Sequence, residues 1–258
     1  MIDFKSQWEF YVLPFPARCS FSEGKWIVGD RYYIDATGRL GAYPALYSWD
    51  DEEKKPEPVL DIKADKYSAH YATRSGFCGA LLKGETQSIP SVWENGQTLQ
   101  FDRGGHKMGI VHYYNGKQAV GTIRVPGEES WNNNDKAVLW DADGNIVWLG
   151  PEGQGSSANF TNGQQQVGEI CEGTSRTKAC RWFGSAETLQ ILHPSQALRS
   201  EATKIVDDKI FGWVSHETDD HPYEIESPGY WCGDENDWNS LLPVDGNWLG
   251  GTHQRCEQ

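Results

Sequence analysis

Residues 137–170 read AVLWDADGNIVWLGPEGQGSSANFTNGQQQVGEI. An apolar run closing on Trp140 leads into an Asp-Gly turn and the alternating stretch NIVWLG. A segment of small residues follows, then an Asn-Gly turn into QQQVG. Asn-Gly and Asp-Gly pairs accept positive φ and therefore favour tight hairpins, and apolar residues at a period of two mark half-buried strands. The stretch predicts short strands joined by turns. Its DADGN resembles the start of a calcium loop, but such a loop needs further oxygen ligands downstream, and the chain instead enters a strand directly. Asp141 and Asp143 are read as turn residues.

The pattern recurs along the chain. KWIVG, GFCG, KQAVG, QQQVG, KIFG and NWLG place Gly29, Gly79, Gly121, Gly168, Gly212 and Gly250 in one column, at steps of 50, 42, 47, 44 and 38 residues. A period of about 40 to 50 residues is that of four-stranded propeller blades. Ten residues before each glycine stand Cys19, Ala69, Val111, Ala158, Ala202 and Ser240. All are small or modest in volume, as an inner strand crowding a central axis requires. Between the two columns lie turns such as YNG, TNG and VDG. After the glycine comes a third segment whose column reads Trp49, Trp93, Trp140, Trp182 and Ile225, the fifth copy lacking the tryptophan. A further turn leads to an outer strand in QTLQF, NIVWL, ETLQIL and GYWC.

The predicted fold class is therefore all-β: a single-domain β-propeller over residues 1–258 with six four-stranded blades, five being the alternative. The blades are expected near 17–62, 67–102, 108–150, 155–193, 199–234 and 237–258, the last completed by a strand from residues 1–14. Going round the circle from Gly250 to Gly29 takes 37 residues, close to the 38-residue step before it, as expected if the N-terminal strand closes the ring. Such closure leaves few exposed sheet edges.

AVLWDADGNIVWLG followed by GSSANFTNGQQQVG resembles the extracellular HAF repeats, whose pattern is an apolar-x-x-Trp, a glycine turn, a leucine, Ser-x-Ala, an Asn-Gly turn and Val-Gly. The resemblance implies a β-propeller fold and brings no catalytic residues. Fold alone does not give function.

A formal charge of −14 and a pI near 4.9 argue against a nucleic-acid partner, since such a surface carries a basic footprint. No apolar run of about 18 residues is present to span a bilayer, and MIDFKSQWEF lacks the regions of a signal peptide. The expectation is a soluble protein, cytoplasmic if Met1 is native and extracellular by the family resemblance. Six cysteines show no CxxC pair, which disfavours zinc. Cys171 and Cys180 flank EGTSRTKA and could face each other across a hairpin, making them the candidate disulfide.

Ligands are expected at the rim built from the loops between strands two and three and from the outer-to-inner connections. Tyr32, Tyr33 and Trp131 stand in its two longest loops. There an aromatic either covers the core or offers a stacking surface or interface anchor. Glu217, Asp219, Asp220, Asp234, Glu235 and Asp237, with His216 and His221 between them, are predicted on one face from neighbouring loops. Three chemistries fit: calcium binding, a carboxylate pair for glycoside hydrolysis, or a solvated acidic rim that steers a basic partner. No zinc-hydrolase motif, nucleophile elbow or phosphate loop occurs. Asn159 formally begins a glycosylation site, NFT, but lies in a predicted inner strand.

The leading reading is a non-catalytic propeller that engages a protein partner, basic in character, as an inhibitor or immunity-type antidote would. A carbohydrate-binding lectin is the alternative, and a glycoside hydrolase using Asp219, Asp220, Asp234 or Asp237 is the third. No cofactor is required, calcium being the one candidate. The loops differ between copies while the framework recurs, which favours one site over a repeated one.

Overall fold

The computed structural model describes residues 17–23, 26–34, 40–50, 55–61, 67–72, 76–82, 86–94, 97–126, 134–172, 176–218 and 221–241, with side chains from Phe77 onward apart from 172, 217–218 and 221–224. These residues form five antiparallel groups of four strands in simple up-and-down order. The first holds β1 (Ala17–Glu23), β2 (Trp26–Ile34), β3 (Leu40–Asp50) and β4 (Lys55–Asp61). The second holds β5 (Tyr67–Ala72), β6 (Gly76–Leu82), β7 (Ser88–Glu94) and β8 (Gln97–Gln100). The third holds β9 (Met108–Tyr114), β10 (Ala119–Arg124), β11 (Asp135–Trp140) and β12 (Ile146–Trp148). A single parallel bridge, Ser88 to Met108, joins the second to the third. The fourth holds β13 (Gly155–Thr161), β14 (Gln166–Glu172), β15 (Arg176–Trp182) and β16 (Gln190–Ile191). The fifth holds β17 (Arg199–Val206), β18 (Lys209–Thr218), β19 (His221–Trp231) and β20 (Trp238–Ser240). First strands abut the first strands of neighbouring groups, so β1, β5, β9, β13 and β17 follow one another around a common axis.

The two sequence columns are partners in the ladder. Cys19 pairs with Gly29, Ala69 with Gly79, Val111 with Gly121, Ala158 with Gly168 and Ala202 with Gly212. Immediately beyond each pair the first strand carries an extra residue, a β-bulge repeated five times. The described glycines show why no larger residue stands there. A Cβ on Gly121, Gly168 or Gly212 would collide with the backbone carbonyl oxygen of Ile110, Ser157 or Glu201 respectively, the residue just before each column position. The bulge re-aims that carbonyl into the space a side chain would take. Turns between first and second strands follow the predicted chemistry: Gly116 and Gly163 have φ of +94° and +98°, and the Asn115 and Asn162 Oδ1 atoms accept backbone N–H groups across the turn.

The core consists of seams between successive sheets. One seam sets Cys78, Val92 and Phe101 against Val111, Ala119, Ile123, Val138 and Trp140. The next sets Val120, Ala137, Leu139 and Leu149 against Ala158, Ile170, Cys180 and Trp182. The third sets Phe160, Val167, Ala179 and Leu192 against Ala202, Ile205, Ile210, Val214 and Trp231. Each seam is filled by one fully buried tryptophan from the later sheet, and an aromatic of that size dominates local burial energetics.

Register corrects two predicted positions. Ile210, two before Gly212, pairs with Trp231, as Ala119 pairs with Trp140 and Gln166 with Trp182. The fifth sheet therefore keeps its tryptophan, at Trp231 rather than being replaced by Ile225. In the first sheet the matching residue is Tyr47, paired with Ile27, and not Trp49. The segments read as two strands, PYEI and GYWC, belong to the single eleven-residue strand β19. Strand β20 pairs with β19, which puts Ser240 on the outer edge of the fifth sheet and not in an inner-strand column. Of the sixth blade expected at 237–258 with 1–14, Trp238–Ser240 is the outer strand of the fifth sheet, while residues 1–16 and 242–258 lie outside the described residues.

Candidate functional site

The predicted rim residues do not gather as expected. Tyr32 and Tyr33 lie within β2, paired with Ala42 and Gly41, because β2 and β3 extend into the segment read as a loop. Trp131, Asp219 and Asp220 fall outside the described residues. His216 and Glu217 are near the end of β18, and His221 begins β19. Asp234, Glu235 and Asp237 occupy the turn at the other end of β19, between it and β20. An eleven-residue strand spans roughly 35 Å, so the acidic group is split between opposite rims of the molecule. The Asp234 carboxylate accepts the Asn236 N–H at 2.8 Å and is engaged in its own turn.

DADGN is a turn on the same rim as Asp234. The Asp141 Oδ1 accepts the N–H groups of Asp143 and Asn145 at 2.9 and 2.8 Å, and Gly144 takes a φ of +81°. These hydrogen bonds, led by the Asn145 side chain, hold the Asp141 carboxyl below its ordinary value. Among the described residues no group of three or more His, Cys, Asp or Glu side chains could hold a metal ion.

Cys171 and Cys180 are free thiols. Cys171 pairs with Thr177 and Cys180 with Gly168, three ladder steps apart. That is about 10 Å, with the side chains on opposite faces, whereas a disulfide needs Cα atoms within about 7 Å. Burial raises both thiols, Cys171 to about 11, so neither is a ready nucleophile. Cys232 is the disulfide-bonded cysteine of the described chain.

What the structure does bring together is a polar chain across the inner strands of the third, fourth and fifth sheets. The His112 Nδ1 lies 3.1 Å from the Ala158 carbonyl and 3.2 Å from the Ser157 Oγ. Ser157 donates to the Asn159 Oδ1 at 2.8 Å. The Asn159 amide donates to the Glu201 Oε1 at 2.8 Å and to the Ala202 carbonyl at 3.1 Å. The Trp213 Nε1 donates to the Glu201 Oε2 at 3.0 Å. A carbonyl only accepts, so a proton on the His112 Nδ1 satisfies the Ala158 contact and runs the chain from His112 through Ser157 and Asn159 to Glu201.

Both Glu201 oxygens accept hydrogen bonds, from Asn159 and Trp213. Arg199, on the same strand, sits with its guanidinium 5.8 Å from the centre of the Trp213 ring. Glu169 on β14 stands opposite Ser157 in the register. Burial and then the charge of Glu201 push its carboxyl from 4.5 to about 7, with the Thr177 hydroxyl and Arg199 acting the other way. Burial also raises Glu201, against the hydrogen bonds from Trp213 and Asn159. Near the strand ends that bear the loops between second and third strands, Arg124 and Asp135 form a two-point ion pair at 2.8 and 3.0 Å.

None of these residues was singled out for a site in the sequence. Their signal is positional: Ser157 and Glu201 directly precede a column residue, and His112 and Asn159 directly follow one. Asn159, considered there only for glycosylation, is buried and held by Glu201.

Among the described residues no helix is long and apolar enough to cross a membrane. No protein-family model and no curated protein matches the chain. Two of the solved structures that align with the chain are as follows. TolB from Acinetobacter baumannii aligns at 13% identity and a TM-score of 0.49 over 83% of this chain and 54% of its own, so this chain spans about half of TolB's length. The β-propeller domain of the Trilobed protease from Pyrococcus furiosus, described as having an open velcro topology, aligns at 10% identity over 87% of this chain and 83% of its own, with a TM-score of 0.50. Meandering four-stranded sheets around a common axis, together with the second likeness, make the fold that of a β-propeller.

Proposed function

We propose that this propeller is a non-catalytic binding module that engages a basic protein through the rim carrying the loops between second and third strands, in the manner of an inhibitor or antidote. The observation that carries the reading is the saturation of the chemistry-bearing groups at the inner strands. His112, Ser157, Asn159 and Glu201 spend their polar atoms on one another, on Trp213 and on the backbone, which builds a rigid surface. The charge of −14 favours a cationic partner, because a field of one sign accelerates encounter with the opposite sign. Kinship with the HAF repeats is part of the same proposal, and so is a six-bladed ring whose last blade combines residues after Leu241 with the N-terminal strand.

An array of basic and acidic peptides, run beside a glycan array at low and at 0.5 M salt, tests the reading. Basic peptides are expected to bind and to be released by salt, which screens exposed charge over about 10 Å at 0.1 M. Equal retention of acidic peptides overturns it, and retention of sugars in its place supports the lectin. Deleting residues 1–14 tests the ring closure: the melting temperature should drop sharply. An unchanged curve would instead fit an open ring of the kind described for the Pyrococcus propeller.

A further inference from the structure

We propose that Cys232 is bonded to Cys256, which pins residues 242–258 against an exposed apolar face of the fifth sheet. Cys232 is disulfide-bonded, and of the other cysteines Cys78, Cys171 and Cys180 are free thiols. Cys19 and Cys256 are left. Cys19 belongs to the innermost column of the first sheet, where it pairs with Gly29. Cys232 stands far from that column even in its own sheet, because Ala202 pairs with Gly212 and Gly212 with Gly229, three residues before Cys232. Two strand spacings outward and three residues along make about 14 Å, whereas a disulfide needs Cα atoms within about 7 Å. The column of a different sheet lies no nearer, which leaves Cys256.

The fifth sheet has a surface for this segment to cover. Trp231 packs toward the fourth sheet, so alternation along β19 turns Pro228, Tyr230 and then Cys232 the other way. In the third and fourth sheets the same side is sealed by the sheet that follows. Val120 and Val167, each directly before a column glycine, are wholly buried there, as are Ala137 and Ala179 on the third strands and Leu149 and Leu192 beyond them. The fifth sheet carries Phe211, Pro228 and Leu241 at these places. Leu241 donates its N–H to the Pro228 carbonyl, as Leu149 and Leu192 donate theirs to Ala137 and Ala179. Yet Phe211 is only half-buried, Pro228 is exposed and Leu241 is 58% exposed. The Cys232 Sγ accepts from the Asn239 Nδ2 on β20 at 3.8 Å, at the edge of this surface. Fifteen residues separate Leu241 from Cys256, ample for a return over the face, and they include Val244, Trp248 and Leu249.

The pairing stands apart from ring closure by residues 1–14 and from the binding of a basic partner, since peptide mapping of the full chain reads it directly. After alkylation without reduction, trypsin should release residues 210–255 linked to residues 256–258, and reduction should part them. A link from 210–255 to residues 19–25, a link between two copies, or an alkylated Cys232 overturns the proposal. Hydrogen exchange reads the pinning. The amides of β20 and those around Phe211 should exchange about tenfold faster in Cys256→Ser, and its melting temperature should fall by about 5–10 °C, the scale for a bridge closing a loop of about 24 residues. Reducing the wild-type chain should reproduce both changes, and the variant should not respond to reductant. Should the variant fail to fold, reduction of the wild-type chain gives the same reading. Exchange at β20 that is unchanged when the bond is broken equally overturns the proposal.

Discussion

The Ser156 Oγ accepts the backbone N–H of Ala137 at 2.9 Å, across the boundary between the third and fourth blades. The Ser200 Oγ accepts that of Ala179 in the same way at 2.8 Å, between the fourth and fifth. In the second blade the residue at this ladder position is Pro90, which has no N–H to offer, and the following inner strand carries Gly109 where the next two carry Ser156 and Ser200. A Cβ on Gly109 would press on the Pro90 ring at 2.8 Å. Two solutions to one problem thus occur in successive blades. A buried donor is either met by the next blade's hydroxyl or removed by proline.

Ser156→Ala should therefore cost about 1–3 kcal/mol, the penalty for stranding a buried backbone donor, measured by urea unfolding. Gly150 is coupled to this clip, since a Cβ there would collide with the Ser156 Oγ. Gly150→Ala should be costly in the wild-type chain and cheaper in the Ser156→Ala background. Additive costs in that double-mutant cycle would show that the hydroxyl does not set the requirement for glycine.

Gly168→Ala probes the repeated bulge. Here the obstacle is the Ser157 carbonyl oxygen, part of the backbone, which cannot rotate away as a side-chain tip would. The expected loss is about 3 kcal/mol, at the upper end of ordinary overpacking costs. A loss below about 1 kcal/mol would mean that the strand shifts freely and that the glycine column has another cause.

Trp231→Ala and Ile225→Ala decide between two alignments of the fifth blade. Trp231 fills the seam with the fourth blade and is wholly buried, whereas Ile225 lies outside that cluster. Trp231→Ala should cost about 3–5 kcal/mol. Ile225→Ala should cost much less. The reverse order of melting temperatures would restore the reading in which the fifth copy lacks its tryptophan.

That misplacement shows what the sequence could and could not reveal. The glycine and small-residue columns were legible because each pair meets a backbone constraint, a bulge against a carbonyl, that admits few residue types. The tryptophan column was legible where the first apolar segment after the loop itself ended in tryptophan. In the fifth blade β19 runs eleven residues, and PYEI near its start presents an apolar segment well before Trp231, which lies nineteen residues after Gly212 just as Trp140 does after Gly121. The same slip put Asp234 and His216 on one face. The polar chain from His112 to Glu201 was not legible, because it joins residues of three blades whose proximity comes from the ring and not from local spacing.

The split of the acidic residues between two rims gives the proposed binding mode a direct test. Asp234 and Glu235 are exposed on the rim that also holds the DADGN turn, while Glu217 stands near the other end of the fifth blade. If a basic partner docks on the rim with the loops between second and third strands, Glu217→Gln should weaken binding of a basic peptide, chiefly by slowing association at low salt. An Asp234→Asn, Glu235→Gln double substitution removes twice the charge about 35 Å away along the strand, well beyond the screening length at physiological ionic strength. It should leave the association rate within about twofold. Surface plasmon resonance at 50 and 150 mM salt reads both effects. A larger loss from the double substitution than from Glu217→Gln would move the docking surface to the opposite rim.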